Sequence, residues 1–361
     1  MKITIKTSVL KDMVARAIKG AGCNKLIPLT SMMSIEVTGN KLVLHTTDMT
    51  NHLYIMQNID AKEFYVTVGV EQFSKLIGRM TCENVSLEVK ANALEVKGNG
   101  TYNIELPLDE NGDLIKFPDP YADANNGLTT SRTVALSTIK AILNTAKASV
   151  ANTMEIPCYT GYYFGDTLLT TDTFKICSMG VKLFDEPVLI SQEMMNLLDI
   201  MESENVNVNI GGDIIIFTSP DCVVYGYKMD CIEDFAVGPI TGLLETEFDS
   251  VCRIAKVDIL ATLDRIALFV GTYDDKAIRL NFTPEGISVS SKKSDGVELI
   301  DYKESENFKP FTCLIDIELF TTQIKADSSD IIELHYGNDK FVSITNTTAK
   351  STQIIALLAD M

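Results

Sequence analysis

The sequence has no tryptophan, only three histidines (His45, His52 and His335) and no cysteine pair of the CxxC type. None of the three histidines lies in a cluster with cysteines or carboxylates at ligand spacing, so no metal and no cofactor is expected. The chain also lacks GxxxxGK[ST], GxGxxG before a helix, GxSxG and HExxH. Those absences remove the phosphate-cradling loops, the nucleophile elbow and the zinc-protease helix, and no enzymatic chemistry is expected. No apolar run approaches the ~20 residues that a membrane helix needs. The opening Met1-Lys2-Ile3-Thr4-Ile5-Lys6 alternates like a strand and has no signal-peptide core, so a cytoplasmic protein without membrane contact is expected. Eight cysteines (Cys23, Cys82, Cys158, Cys177, Cys222, Cys231, Cys252 and Cys313) sit singly in apolar segments and read as free thiols.

What is present is length, apolar content and acid. At 361 residues the chain is too long for one ordinary core, and 46% hydrophobic residues allow two or three. The net charge of −18 taken whole would repel phosphates, so its distribution matters more than its size.

An internal repeat organises the chain. Phe73 to Val85 and Met194 to Val206 match without a gap at an offset of 121 residues. Both carry apolar residues at i, i+3, i+4 and i+7, the face of an amphipathic helix, and both run into Glu-Asn-Val at the start of an alternating strand. Leu319 to Leu334 is a looser third copy. Upstream, Leu42 to Asp48 matches Leu168 to Asp172, with Ile287 to Ser291 in the same place later. The spacing predicts helices at 8–20, 70–80, 136–151, 191–203, 256–271 and 317–326. It predicts hairpin strands beginning at 32–37, 158–164 and 277–282, and closing strand pairs at 93–107, 213–229 and 340–359. The pattern breaks at Phe117-Pro118-Asp119-Pro120 and between Val237 and Glu247, which read as linkers. The fold class is α+β: three tandem two-helix, antiparallel-sheet domains at 1–124, 125–245 and 246–361.

Charge is segregated. The six predicted helices hold ten basic and eight acidic residues, a net of +2, and the remainder holds −20. Helix 136–151 places Ile139, Ile142, Leu143, Ala146 and Val150 on one face and Lys140, Asn144 and Lys147 on the other, with no acid. Helix 191–203 dissents, with three acids and no base. A ring held on duplex DNA by closure needs only a weak basic lining, with acid elsewhere to repel DNA. The candidate DNA-facing residues are Lys11, Arg16, Lys19, Lys25, Lys75, Arg79, Lys140, Lys147, Lys256, Arg265 and Lys325.

Met1-Lys-Ile-Thr-Ile-Lys, then Ile27-Pro28-Leu29 before a strand, then Gly39 to Asp48, resemble the first domain of the bacterial DNA polymerase III beta subunit, the sliding clamp. Phe117-Pro118 resembles that family's Phe-Pro before its first linker, and Thr171-Asp172 stands where the family has Ala-Thr-Asp-Gly-His-Arg-Leu. The resemblance covers the whole chain. It implies the DNA clamp fold, a head-to-tail homodimeric ring around double-stranded DNA, and a clamp loader that opens it. It also implies peptide docking by the replicative DNA polymerase and other proteins carrying a clamp-binding motif.

The resemblance places the partner-peptide pocket at Tyr159, Thr171, Thr173, Phe174, Lys175, Ile176, Ile355, Ala356, Leu357, Leu358, Ala359 and Met361. Lys175 and Ile176 replace the family's Arg and Leu, while its Gly and His are lost, as are the Pro and Arg of its C-terminal segment. An apolar groove with altered preference is expected. The dimer contact is placed at Gln72, Tyr102, Ile104, Phe269 and Val270, with no arginine on the 100–105 strand. The competing reading is an acidic three-domain scaffold or adaptor that binds protein partners without encircling DNA.

Overall fold

The computed structural model describes residues 2–22, 24, 26–121, 130–271, 276–293 and 295–359. One backbone contact recurs three times and explains the repeat seen in the sequence. Strand β1 (Lys2–Lys6) runs directly into helix α1 (Thr7–Ala17), and the Thr7 amide donates to the Glu83 carbonyl at 2.9 Å. Leu136, opening helix α3 (Leu136–Ala146), donates to Glu204, and Lys256, opening helix α6 (Lys256–Ala267), donates to Asp330, both at 2.8 Å. Each acceptor immediately precedes a strand: β6 (Asn84–Val89), β14 (Asn205–Gly211) and β23 (Ile331–Tyr336). Glu-Asn-Val is therefore the point where the helix start is anchored. The contact satisfies an amide that a helix N-terminus leaves open.

The strands follow the same order in each repeat. The first sheet takes β1-β6-β7-β8, with β7 at Ala93–Lys97 and β8 at Thr101–Glu105. The second repeat uses β9 (Thr130–Ala135), β14, β15 (Ile214–Thr218) and β16 (Cys222–Tyr227). The third uses β17 (Ser250–Ala255), β23, β24 (Phe341–Asn346) and β25 (Ser351–Ala356). A second four-stranded arrangement is built on the hairpins. In the first repeat it is β5-β2-β3-β4, where β2 is Met32–Thr38, β3 Lys41–Thr47, β4 Asn51–Asn58 and β5 Phe64–Gly69. Its counterparts are β13-β10-β11-β12 (Val188–Ser191, Gly161–Phe164, Leu168–Thr171, Lys175–Met179) and β22-β18-β19-β20 (Phe311–Asp316, Ala277–Phe282, Gly286–Ser291, Val297–Asp301).

Successive repeats join through strands. β4 pairs antiparallel with β16, and β12 pairs antiparallel with β25. Two compact units result: 1–139 with 193–228, and 140–192 with 229–361. Each unit holds one repeat whole and one sheet of the middle repeat. The core of the second unit shows how a whole repeat packs: Ile259, Leu263 and Ile266 from α6 and Phe320 and Ile324 from helix α7 (Ile317–Ala326) pack with residues of both its sheets. In the first unit Gly20 permits a close approach. A Cβ there would stand 2.5 Å from Cβ of Leu53 and 2.6 Å from Oγ1 of Thr46.

Several sequence expectations change. Helix 191–203 is only Gln192–Leu198 (α4), ending in a turn that keeps Met201 buried. Helix 256–271 stops at Ala267. The segment expected as a linker from Val237 folds as helix α5 (Val237–Leu244), because its apolar residues, Ile240 among them, have a cluster to cover. Pro239 is accepted because it lies in the first turn. Strand β4 is absent from the sequence reading because it is buried on both faces over Asn51–Ile55 and shows no alternation.

Candidate nucleic-acid and partner interfaces

The junction of β12 with β25 carries a buried apolar cluster, and strand alternation decides what faces it. Ile176 is paired with Ile354, and both belong to a cluster with Cys158, Leu169, Leu189, Phe235 and Ile240. Tyr159 and Tyr163 pack on Phe235, with ring centroids 5.4 and 4.9 Å apart. Tyr159 packs on this cluster and Ile176 belongs to it, whereas Ile355 lies in the core of the third repeat and its neighbour Ile354 joins the cluster. A one-residue slip in a strand exchanges its faces. Leu357 packs on that same core, and the Leu358 amide donates to Leu314 at 2.8 Å. Both line a separate small cavity with Arg279, Asp339 and Ala359. The Ala356 amide donates to the Phe174 carbonyl at 2.9 Å. Met361 and Lys25 lie outside the described residues.

The Thr-Thr-Asp loop shapes one end of this junction. Thr171 donates its hydroxyl to the Lys175 carbonyl and accepts from the Thr173 amide, while the Asp172 carboxylate accepts from the Phe174 and Lys175 amides. These bonds hold Thr173 at φ 79° and leave Phe174 61% exposed. Lys175 is buried. Its ammonium donates to the Ala148 carbonyl at 2.6 Å and lies 3.1 Å from Asp172, so it ties down the end of the second repeat's first helix. Phe235, Ile240 and Ile354, which the sequence analysis does not single out, come from chain distant from the Thr-Asp motif.

The basic residues divide into two groups. Lys19, Arg79, Lys140, Lys147 and Lys325 are exposed, and Lys11 is half-exposed. Lys75 is exposed and pairs with Glu71 one turn earlier. Arg16 is held internally: its side chain is 12% exposed and bonds Asp221, with Glu202 and Asp12 at 3.7 Å. The Asp221 carboxylate also accepts from Ser203 and Ser219, and its pKa is held below the ordinary value by these bonds against the opposing effect of burial. Arg265 makes a two-pronged contact to Glu298 at 2.8 and 2.6 Å. Lys256 donates to the carbonyls of Lys325 and Asp327 at the end of α7. Arg16, Arg265 and Lys256 therefore have structural partners that the helix pattern could not show.

Among the described residues, two strands stand at junction positions with no strand beyond them: β8 ends the first repeat's first sheet, and β20 ends the third repeat's second sheet. Tyr102 on β8 is 39% exposed, but Ile104 is 2% exposed and belongs to the core, again by alternation. Near β20, Val297, Leu299, Leu268 and Phe269 are exposed, and the Phe269 ring lies against Gly296. Val270 is partly buried on the third-repeat core, and Gln72 is exposed on helix α2 (Val70–Arg79). Val297 and Leu299 were absent from the sequence reading.

All seven described cysteines are free, five of them buried. Burial pushes the thiols of Cys177, Cys222, Cys252 and Cys313 up to about 12, which makes them poor nucleophiles. Among the described residues no group of His, Cys, Asp and Glu could hold a metal, and no helix is long and apolar enough to cross a membrane.

Two four-stranded sheets and two helices per repeat, three times over and joined strand to strand within each unit, make the fold of the DNA clamps. In particular it is the fold of the bacterial DNA polymerase III beta subunit. The chain is similar along its full length to the sliding clamp of Bacillus subtilis (16% identity, 100% of each chain, TM-score 0.83). It is similar to the beta subunit of Thermotoga maritima (14%, 100% of each chain, TM-score 0.82) and to that of Borrelia burgdorferi (13%, 100% of each chain, TM-score 0.86). No protein-family model and no curated protein matches the sequence.

Proposed function

We propose that this protein is a DNA sliding clamp: a head-to-tail homodimeric ring that encircles duplex DNA, tethers the replicative polymerase, and performs no chemistry. The observation that carries this reading is the junction rule. The last strand of one repeat's second sheet pairs with the last strand of the next repeat's first sheet, as β4 does with β16 and β12 with β25. The unpaired members of that series are β20 and β8. Pairing β20 of one copy with β8 of another applies the same rule once more, and two copies of three domains (1–124, 125–245, 246–361) close a six-domain ring. This head-to-tail contact is heterologous, and it gives a closed ring rather than an open filament because the second copy's β20 meets the first copy's β8.

Lys11, Lys19, Arg79, Lys140, Lys147 and Lys325 would form the lining. Their charge tracks phosphates without reading bases, and the acidic remainder keeps DNA off other surfaces. The surface over the apolar cluster of Tyr159, Ile176, Phe235 and Ile354 would take the apolar residues of a polymerase or of another clamp-binding partner. A clamp loader would open the ring on DNA in the cytoplasm. The deciding experiment loads the protein with its cognate loader on nicked circular DNA and then linearises the circle. A clamp stays on the circle and runs off the linear product. Equal retention on both forms, or no retention on either, would sink the proposal and favour the scaffold.

A further inference from the structure

The first junction carries a cavity that neither the ring nor the apolar cluster uses. It is a concavity of about 220 Å³ in the first unit, where β4 meets β16. The repeat makes it the counterpart of the apolar cluster. Thr47 and Asp48 form the same loop as Thr171 and Asp172: Thr47 donates to the Asn51 carbonyl, and Asp48 accepts from the Thr50 and Asn51 amides. Met49 takes φ 81° where Thr173 takes 79°.

By this register the pair His52–Tyr225 occupies the place of Ile176–Ile354, and His45 the place of Leu169. Of these three residues only His45 lines the cavity, where its ring stacks on Tyr54 with centroids 4.0 Å apart. The walls add Phe117, Tyr65 and Tyr121, and Asp119 at the rim accepts from the Tyr54 hydroxyl at 2.9 Å. Glu36 stands half-buried on the wall, where burial and the nearby Asp119 carboxylate push its pKa up. Among the described residues no cation reaches salt-bridge distance of Glu36, although Lys41 lines the same cavity. A half-buried carboxylate among aromatic faces, in no salt bridge among the described residues, suits an incoming cation.

We propose that this cavity binds the guanidinium of an arginine on an extended segment of a partner protein. Arginine fits best among the cations. Its planar head stacks on aromatic rings while its fork bonds a carboxylate, and it sheds water more readily than an ammonium. The volume suits one long side chain and falls below the range of whole-cofactor sites. Two carboxylates at the cavity repel phosphate, which sets nucleic acid aside as the occupant. The inference rests on the repeat and the cavity and is independent of DNA encirclement.

The test uses the full chain and a capped pentapeptide carrying one arginine among glycines, titrated by calorimetry at low salt. A second peptide replaces arginine by citrulline, which keeps the shape and removes the charge. The expected result is saturable binding that weakens roughly tenfold or more with citrulline and in Glu36→Gln. Tyr121→Ala, at the rim, serves if Glu36→Gln does not fold, and is expected to weaken binding by several-fold. No saturable binding up to millimolar peptide, equal binding of the citrulline peptide, or unchanged binding in the folded variant would each overturn the proposal.

Discussion

Thr46 donates its hydroxyl to the Ala17 carbonyl at 2.6 Å, and one repeat later Thr170 makes the same bond to Ala146 at 2.9 Å. Both are buried, and both reach a carbonyl where the α-helix tightens into a 3-10 turn. Replacing either threonine by valine keeps the shape and removes that buried hydrogen bond. Thr46→Val and Thr170→Val are each expected to cost about 1–3 kcal/mol, read as a lower urea midpoint. Thr322→Val, at an exposed helix position, is the control and should move the midpoint little.

The two classes of basic residue should separate in experiment. Arg16→Leu leaves Asp221 without its cation and is expected to destabilise by on the order of 3 kcal/mol. Charge reversal at the exposed Lys19, Arg79, Lys140 and Lys325 should leave the urea midpoint within about 0.5 kcal/mol of the parent. The same reversal should shorten retention on circular DNA and flatten its dependence on salt. A reversal variant that is retained as long as the parent would remove these residues from the lining.

The face exchange on β25 predicts opposite outcomes at adjacent positions. Ile354→Ala and Ile176→Ala, both buried in the cluster beside Phe235, are expected to lower the urea midpoint and also to weaken capture of a peptide from the cognate polymerase. Ile355→Ala should leave peptide affinity intact and cost about 2–5 kcal/mol, because that side chain fills the third-repeat core. The two readouts are fluorescence polarisation and urea unfolding.

At the proposed dimer edge, Leu299→Lys and Phe269→Lys place a charge on exposed apolar surface. Both are expected to give folded monomers in sedimentation at micromolar concentration. Ile104→Lys puts the charge into the core and should prevent folding altogether. With no described arginine on β8, the parent dimer should change little between low and moderate salt.

His45 and His52 share a hydrogen bond of 3.0 Å inside the first unit. Burial, and then the neighbouring His52, lower His45 from 6.5 to about 3, and burial lowers His52 as well. The unfolded chain therefore binds more protons between those values. Stability from this pair is complete above pH 6.5 and is lost as the pH falls towards 3, at up to about 1.4 kcal/mol per pH unit for one imidazole. His45→Leu, the residue at the counterpart position 169, should flatten the pH dependence of the urea midpoint between pH 6.5 and 4.5. An unchanged slope would show that His45 does not titrate with unfolding.

The sequence by itself determined the repeat, because the anchor of each helix start is a backbone contact set by a local motif, and Glu83, Glu204 and Asp330 recur at it. It determined the helices and most hairpin strands for the same reason: periodicities of 3.6 and 2 are written within a dozen residues. It also determined the Thr-Thr-Asp loops, whose hydrogen bonds close within four residues. Only the tertiary structure decided which residues those elements present. Arg16 is paired through a residue 205 positions away, which no helical wheel can show. Ile354 and Ile355 differ by one step of a strand flanked on both faces by apolar cores, where hydrophobicity carries no sign of which way a side chain points. The junctions themselves, β4 with β16 and β12 with β25, are pairings between distant segments, and the apolar cluster, the second cavity and the unpaired edges all follow from them.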